Sequence, residues 1–465
     1  MPLALVPRGQ TLPSALGLLF AGLLFAASLR AQGAAGAGAS LSGAVSNAAP
    51  IRPLAQNHVV VGESPAPGEV PLYSPTILRL DTGRLVAGYT RATDDTAKHG
   101  RSAEVLLTSD DHGVTWTKRA ELPSLQGRIF AAGKSLYYLS TGAGLPMSRS
   151  DDQGVTWSKP VPLTAKELVW QQTPANVWHT RGNVYLAFER RNKIINTWGP
   201  SEKALVLLRA RAGDDLTQPK AWTFSSELVF SDVVPGVREN NVGLEYFGVP
   251  FFPQAYPNRM EIAKSPRRTM PPIGWVEPGV VQIMDPDHVW FDPSGHTFHI
   301  LARAHTGGTG FACLTKVVEN SDGSMTMSLE QAPSGKKMLY LPVPGGQLRF
   351  HILYDAKSQL YWLVGSQATD SMTRADRMPK ERFDLPYNER QRLVLHFSRN
   401  LVDWCFAGLV AKADSPKESR HYASMDIDGD DLVILSRSGD TRAKNAHEGN
   451  IITFHRVTDF RQLVY

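Results

Sequence analysis

Ser109-Asp110-Asp111-His112-Gly113-Val114-Thr115-Trp116 returns 41 residues later as Ser150-Asp151-Asp152-Gln153-Gly154-Val155-Thr156-Trp157. Each copy follows a strand-like run, Glu104 to Thr108 in the first case and, more weakly, Gly144 to Ser148 in the second. The shared pattern Ser-x-Asp-x-Gly-x-Thr-Trp is a turn signal with a mechanism. Ser and Asp side chains bond nearby backbone amides, Gly supplies a backbone angle other residues resist, and Trp anchors the turn in apolar surroundings. A strand–turn–strand unit repeated at about 40 residues predicts a β-propeller.

Working outward from the two copies, the chain divides into six units. The first runs from about Leu72 to Lys118, and the second from Gly127 to Lys159. The third starts near Thr173, with strands at Asn183 to Phe188 and Ala204 to Arg211. The fourth spans Gly274 to Leu329, with strands including His288 to Phe291. The fifth spans Gln347 to Phe406 and ends in Ser398-Arg399-Asn400-Leu401-Val402-Asp403-Trp404, a decayed copy of the repeat. The sixth spans His421 to Arg456. His58 to Gly62 reads as a lone strand able to close the ring. Leu228 to Thr269, with Glu239-Asn240-Asn241, reads as a long insertion, and Thr373 to Arg390 as a charged one. The expected fold is all-β: a six-bladed propeller of four-stranded antiparallel blades.

Composition agrees with this. Of 465 residues, 20% are charged and 42% hydrophobic, which excludes a disordered chain. The net charge of +5 is scattered, with no basic stripe to serve as a nucleic-acid footprint. The two cysteines, Cys313 and Cys405, sit in no metal-binding pattern. No calcium loop, zinc pattern, phosphate loop or dinucleotide fingerprint appears, so a cofactor-free and metal-free site is expected. Arg8, the apolar stretch Ala15 to Leu29 and the small residues after it describe a secretory signal peptide over residues 1–32. A flexible Ala/Gly/Ser-rich leader is expected over 33–56 and the propeller over 57–465. These features predict a secreted or periplasmic protein with no membrane span after cleavage, as monomer or weak homo-oligomer.

In a propeller the innermost strands converge on one mouth of a central channel. Their heads carry Tyr73 and Ser74, Arg128, Gln172, Thr173 and Asn176, Trp275 and Glu277, Arg349 and His351, and His421 and Tyr422. Guanidinium, carboxylate, imidazole and phenol gathered in one ring suit an acidic sugar. Arg forks bind a carboxylate bidentately, and a carboxylate stabilises oxocarbenium charge.

At this point the chain resembles the sialidases, Asp-box propellers, over about residues 70 to 460. The Asp-box, here the repeated phrase, implies the fold and not the activity. The resemblance implies roles residue by residue. Tyr422, in His421-Tyr422-Ala423-Ser424, resembles the tyrosine nucleophile. Glu277 resembles the glutamate that takes its proton. Asp94 and Asp95, in the loop after Arg91, occupy the place of the acid/base aspartate. Arg303 and Arg349 correspond to arginines that grip a carboxylate. Where the family has Phe-Arg-Ile-Pro, this chain has Leu72-Tyr73-Ser74-Pro75, so one arginine is missing. Further expected contacts to substrate are Arg91, Arg437, His421, His351, Trp275 and Tyr73, with His447 and Glu189 as lesser candidates. Asp111 and Asp152 are expected to be structural.

Three functions follow as expectations. One is a secreted, exo-acting glycoside hydrolase cleaving a terminal acidic or related sugar from a glycan or polysaccharide. A second is a polysaccharide lyase using His351, His421 or Tyr422 near Arg349 on a uronate polymer. The third is a non-catalytic carbohydrate-binding propeller.

Overall fold

The computed structural model describes residues 51–171, 175–191, 202–234, 274–304, 310–367, 390–415 and 417–465. The expected signal peptide, the leader up to residue 50, Gln172, Thr173, Glu239-Asn240-Asn241 and residues 373–389 lie outside them. Among the described residues no helix is long and apolar enough to cross a membrane.

The strands form antiparallel sheets whose members follow one another in sequence. The first holds Leu72–Arg79, Leu85–Arg91, Ala103–Ser109 and Thr117–Leu122. A later sheet holds Trp275–Val281, Thr297–Ala304, Phe311–Glu319 and Met325–Ser328, with Tyr340–Pro342 added to the third strand. The next holds His351–Asp355, Leu360–Ser366, Arg392–Ser398 and Cys405–Lys412. The last holds Ser419–Asp428, Asp431–Gly439 and Ile451–Val457, and its outer strand is Val59–Glu63 from the start of the described chain. Each first strand lies beside the first strand of a neighbouring sheet: Leu72–Arg79 touches both Ser419–Asp428 and Leu125–Ala132, and His351–Asp355 touches Trp275–Val281 and Ser419–Asp428. This radial, closed arrangement is a β-propeller.

Three expectations are corrected. The strands between Leu125 and Val229 form one ten-stranded sheet and not separate four-stranded ones, because Val169–Gln171 pairs with Ser135–Ala143 on one side and Asn183–Arg191 on the other. His288 to Phe291 is a turn and not a strand: the Asp285 carbonyl accepts from His288 N, and the His288 carbonyl from Phe291 N. The packed chain also begins before residue 57, since Leu54 and Ala55 donate to the Leu409 and Val410 carbonyls.

The strands Leu85–Arg91, Asn183–Arg191, Leu360–Ser366 and Asp431–Gly439 are buried on both faces along most of their length, which is why their hydrophobic pattern runs nearly unbroken rather than alternating. Leu85 to Thr90 is buried throughout. The core lies between sheets: Leu72, Ile77 and Leu85 of the first pack against Val433, Leu435 and Phe454 of the last.

The repeated phrase makes the same turn twice. Ser109 Oγ donates to Asp111 at 2.8 Å and accepts from Gly113 N at 2.9 Å. Asp111 also accepts from Thr115 N at 2.9 Å and Thr115 Oγ1 at 2.5 Å, and Trp116 Nε1 donates to the Gly113 carbonyl at 3.0 Å. The bonds around Asp152 repeat this set. These hydrogen bonds, led by those from Thr115, hold the Asp111 carboxyl down at about 2. At Ser398 to Trp404 Asn400 replaces the aspartate, and Trp404 Nε1 still donates to the Leu401 carbonyl at 3.1 Å.

Candidate functional site

Four inner strands break their pairing at the same place. The register shifts fall between Tyr73 and Thr76, Leu125 and Arg128, Val276 and Gly279, and His421 and Ser424. In each bulge one non-glycine residue takes a left-handed backbone: Ser74 (φ 48°), Gln126 (51°), Glu277 (59°) and Tyr422 (50°). That conformation costs roughly 1–2 kcal/mol per residue and has to be held by its surroundings. A bulge re-aims the side chain that a regular strand would send into the sheet.

Two of these bulges are held from the second strand of the preceding unit. Gln126 N donates to Thr90 Oγ1 at 2.8 Å, and that hydroxyl donates to buried Glu104 at 2.7 Å. Glu277 N donates to the Glu189 carboxylate, whose other oxygen lies 2.6 Å from Lys203 Nζ. Burial pushes Glu189 up to about 7 and Glu104 up to about 8, against the pull of their partners. Glu189, a lesser candidate for substrate contact, is instead fully buried, holding the Glu277 backbone.

Arg303 ties the next pair together. Its Nε donates to the Gln347 carbonyl at 2.8 Å. Its Nη1 donates to Tyr422 Oη at 2.5 Å and lies 3.5 Å from Glu277 Oε2. Burial works against the Arg303 charge, but Tyr422 and Glu277 outweigh it and hold its proton more tightly than usual. Two more guanidiniums flank the Tyr422 ring, Arg390 at 4.9 Å and Arg437 at 5.3 Å from the centroid. Arg437 also lies 4.1 Å over Tyr73 and donates to the His447 carbonyl. Burial lowers Arg437 to about 10, and lowers Arg349 as well, where Glu277 and Tyr422 counteract it. Buried Arg390 donates to His421 Nδ1 at 2.9 Å, which leaves the ring proton on Nε2, and burial keeps His421 neutral.

The remaining candidates are dispersed. Trp275 is fully buried in the core, its indole N–H on the Lys203 carbonyl and its ring edge-on to Phe230 at 5.1 Å. Arg91 forms a two-point ion pair with Glu121 at 3.1 and 3.3 Å, on its own sheet. Asp95 caps the one-turn helix Thr96–His99 by accepting from Lys98 N at 3.0 Å. Asp94 is exposed, and its charge reaches Tyr73. His351 lies deeper in the channel, where Nδ1 accepts from Met425 N at 3.0 Å. Asn176 bonds Val280 and the Ile352 carbonyl, stitching inner strands together.

No protein-family model matches the chain, and no curated protein matches it. Among solved structures it is similar to an α-L-arabinanase of Penicillium chrysogenum complexed with arabinobiose. That match has 12% identity over 88% of this chain and 99% of the other, with a TM-score of 0.45. It is also similar to the Trypanosoma rangeli sialidase in complex with sialic acid (15% identity, 88% of this chain, 59% of the other, TM-score 0.48). The Hadza microbial sialidase gives 13% identity over 83% and 66%, with a TM-score of 0.48. The chain spans only about three fifths to two thirds of these sialidase chains.

Sequence reasoning missed Arg390, Gln126 and Lys203. Arg390 stands alone at the end of a charged stretch, and no local pattern separates it from the arginines around it. Among the described residues no group of three or more His, Cys, Asp or Glu could hold a metal ion, and Cys313 and Cys405 are both free.

Proposed function

We propose that this protein is a secreted glycoside hydrolase of sialidase-like fold that removes a terminal acidic or related sugar, exo-fashion, from a glycan or polysaccharide. On this reading the ring has six blades, with the ten-stranded sheet counted as two, and the repeated turns are Asp-boxes. Residues 1–32 act as a signal peptide.

The observation that supports it is the Glu277–Arg303–Tyr422 cluster, ringed by further guanidiniums. Tyr422 Oη attacks the anomeric carbon while Glu277 takes the phenolic proton. The glycosidic C–O bond breaks, and Asp94, an exposed carboxylate whose charge reaches Tyr73, protonates the leaving oxygen. A carboxylate nucleophile would repel an anionic sugar, whereas a neutral phenol does not. Water then releases the sugar from Tyr422. The arginine missing at Tyr73-Ser74 is replaced from another sheet: Arg437 lies over Tyr73, and with Arg390 it binds the substrate carboxylate.

The test is a panel of aryl glycosides and uronate polysaccharides. A reducing sugar released by wild type and abolished in Glu277→Gln and Tyr422→Phe supports the reading. One observation favours a lyase instead: a tyrosine held by an arginine is also a base beside a carboxylate neutraliser. An unsaturated, ultraviolet-absorbing product would replace the hydrolase with a lyase.

A further inference from the structure

One layer below Tyr422, the channel holds a buried arginine that makes no ion pair among the described residues. Arg128 is 4% exposed and His351 3%. Arg128 Nη1 donates to Ser424 Oγ at 2.8 Å, and its Nε has no hydrogen-bond partner. Its Nη2 lies 3.5 Å from His351 Nδ1 and 3.4 Å from His351 Nε2. Neither contact is a hydrogen bond. Nδ1 already accepts from Met425 N at 3.0 Å, so the ring is neutral with its proton on Nε2. Nη2 therefore lies over the imidazole, with the Nε2–H directed away in the ring plane, and two donors sit 3.4 Å apart inside the protein. The buried Arg349 adds a second positive charge that acts on both Arg128 and His351. The Asp426 carboxylate, whose charge reaches Arg128, is committed elsewhere, accepting from Arg79 N at 2.6 Å and Ile427 N at 2.8 Å.

Buried donors without acceptors and buried charges without partners are both costly, and one small anion removes both costs. We infer that Arg128 and the Nε2–H of His351 form a binding site for a halide-sized monovalent anion in the channel, beside Arg349. A spherical acceptor can take both N–H groups at once from donors this close together. The site is separate from the proposed chemistry at Glu277 and Tyr422 and stands whether or not that reading holds.

The experiment uses the full mature chain. Thermal unfolding is followed with sodium bromide, and with sodium fluoride and sodium sulfate at matched ionic strength as controls. Crystals grown in bromide are measured at the bromine edge. The expected result is a bromide peak within contact of Arg128 and His351, with a bromide-specific rise in Tm of about 3 °C or more at saturating anion. Arg128→Met and His351→Phe should each lose the bromide-specific rise, and the second variant decides the matter if the first fails to fold. Absence of the peak, or a peak whose Tm response equals that of the controls, overturns the inference. So does bromide inhibition strictly competitive with an acidic glycoside, which would make the site part of the substrate pocket.

Discussion

Arg303 Nη1 reaches Tyr422 Oη at 2.5 Å across the channel, joining residues from different sheets. A single guanidinium thus fixes the phenol and, at 3.5 Å, the Glu277 carboxylate. Arg303→Lys keeps the charge but loses the fork that serves Gln347, Tyr422 and Glu277 together. We expect kcat to fall about 100-fold, with Tm within a few degrees of wild type, on whichever acidic glycoside the panel identifies. Unchanged kcat would remove Arg303 from the site.

Glu189 and Lys203 form a buried pair, and Glu189 accepts the backbone N–H of Glu277. Removing only the cation leaves a buried carboxylate uncompensated, so Lys203→Met should cost about 3 kcal/mol in urea unfolding. Adding Glu189→Gln to it should restore about half or more of that loss, because a neutral amide still accepts from Glu277 N. Additive losses in the double variant would show that the two residues act independently.

Glu104 carries a pH prediction. Burial raises its carboxyl to about 8 in the folded chain, from an ordinary 4.5. The folded state therefore keeps a proton that the unfolded chain releases, and stability contributed by this group declines as pH rises from about 4.5 to about 8. Glu104→Gln imitates the protonated acid and should flatten this slope, gaining about 1–3 kcal/mol relative to wild type at pH 9 over pH 5. Parallel stability profiles for the two proteins would refute it.

The two repeat glycines separate strain from crowding. Gly113 and Gly154 have nearly the same left-handed backbone, φ 91° and 87°. A Cβ on Gly113 would meet the Phe454 ring at 2.4 Å, whereas on Gly154 it would meet Val86 at 3.1 Å. Both alanine variants pay the backbone cost, and Gly113→Ala should lose about 1–2 kcal/mol more from overpacking. Chemical unfolding of both variants gives the comparison, and equal losses would mean that the Phe454 ring yields freely.

The repeat was legible because turn chemistry is local: Ser, Asp, Gly, Thr and Trp bond one another within eight residues. The strand heads were legible for the same reason, since Glu277 and Tyr422 stand beside recognisable pattern breaks. Other features depend on the fold. Gln126 shares its bulge geometry with Glu277 and Tyr422, yet the neighbouring Gly127 does not distinguish it from an ordinary turn residue, because Thr90 and Glu104 on another sheet hold it there. Trp275 stands at a strand head as an expected substrate contact, but the Lys203 carbonyl and Phe230, distant in sequence, draw it into the core. Arg91 is claimed by Glu121, thirty residues on, through sheet register alone. Arg390 enters the site only because its backbone carbonyl accepts from Arg420 N at 2.8 Å, beside His421.

The ring is fastened by Val59–Glu63 lying along Ile451–Val457. The strand that completes the last sheet thus precedes every other described strand in sequence, and its partner follows them all. A nascent chain must carry that strand with its edge unpaired until nearly all the remaining sheets exist. Among the described strands its pairing has the greatest sequence separation, and contacts of that kind form late and slowly. Until then the exposed edge is open to a neighbouring chain, so exchange of this segment between molecules is the misassembly this architecture most needs to avoid.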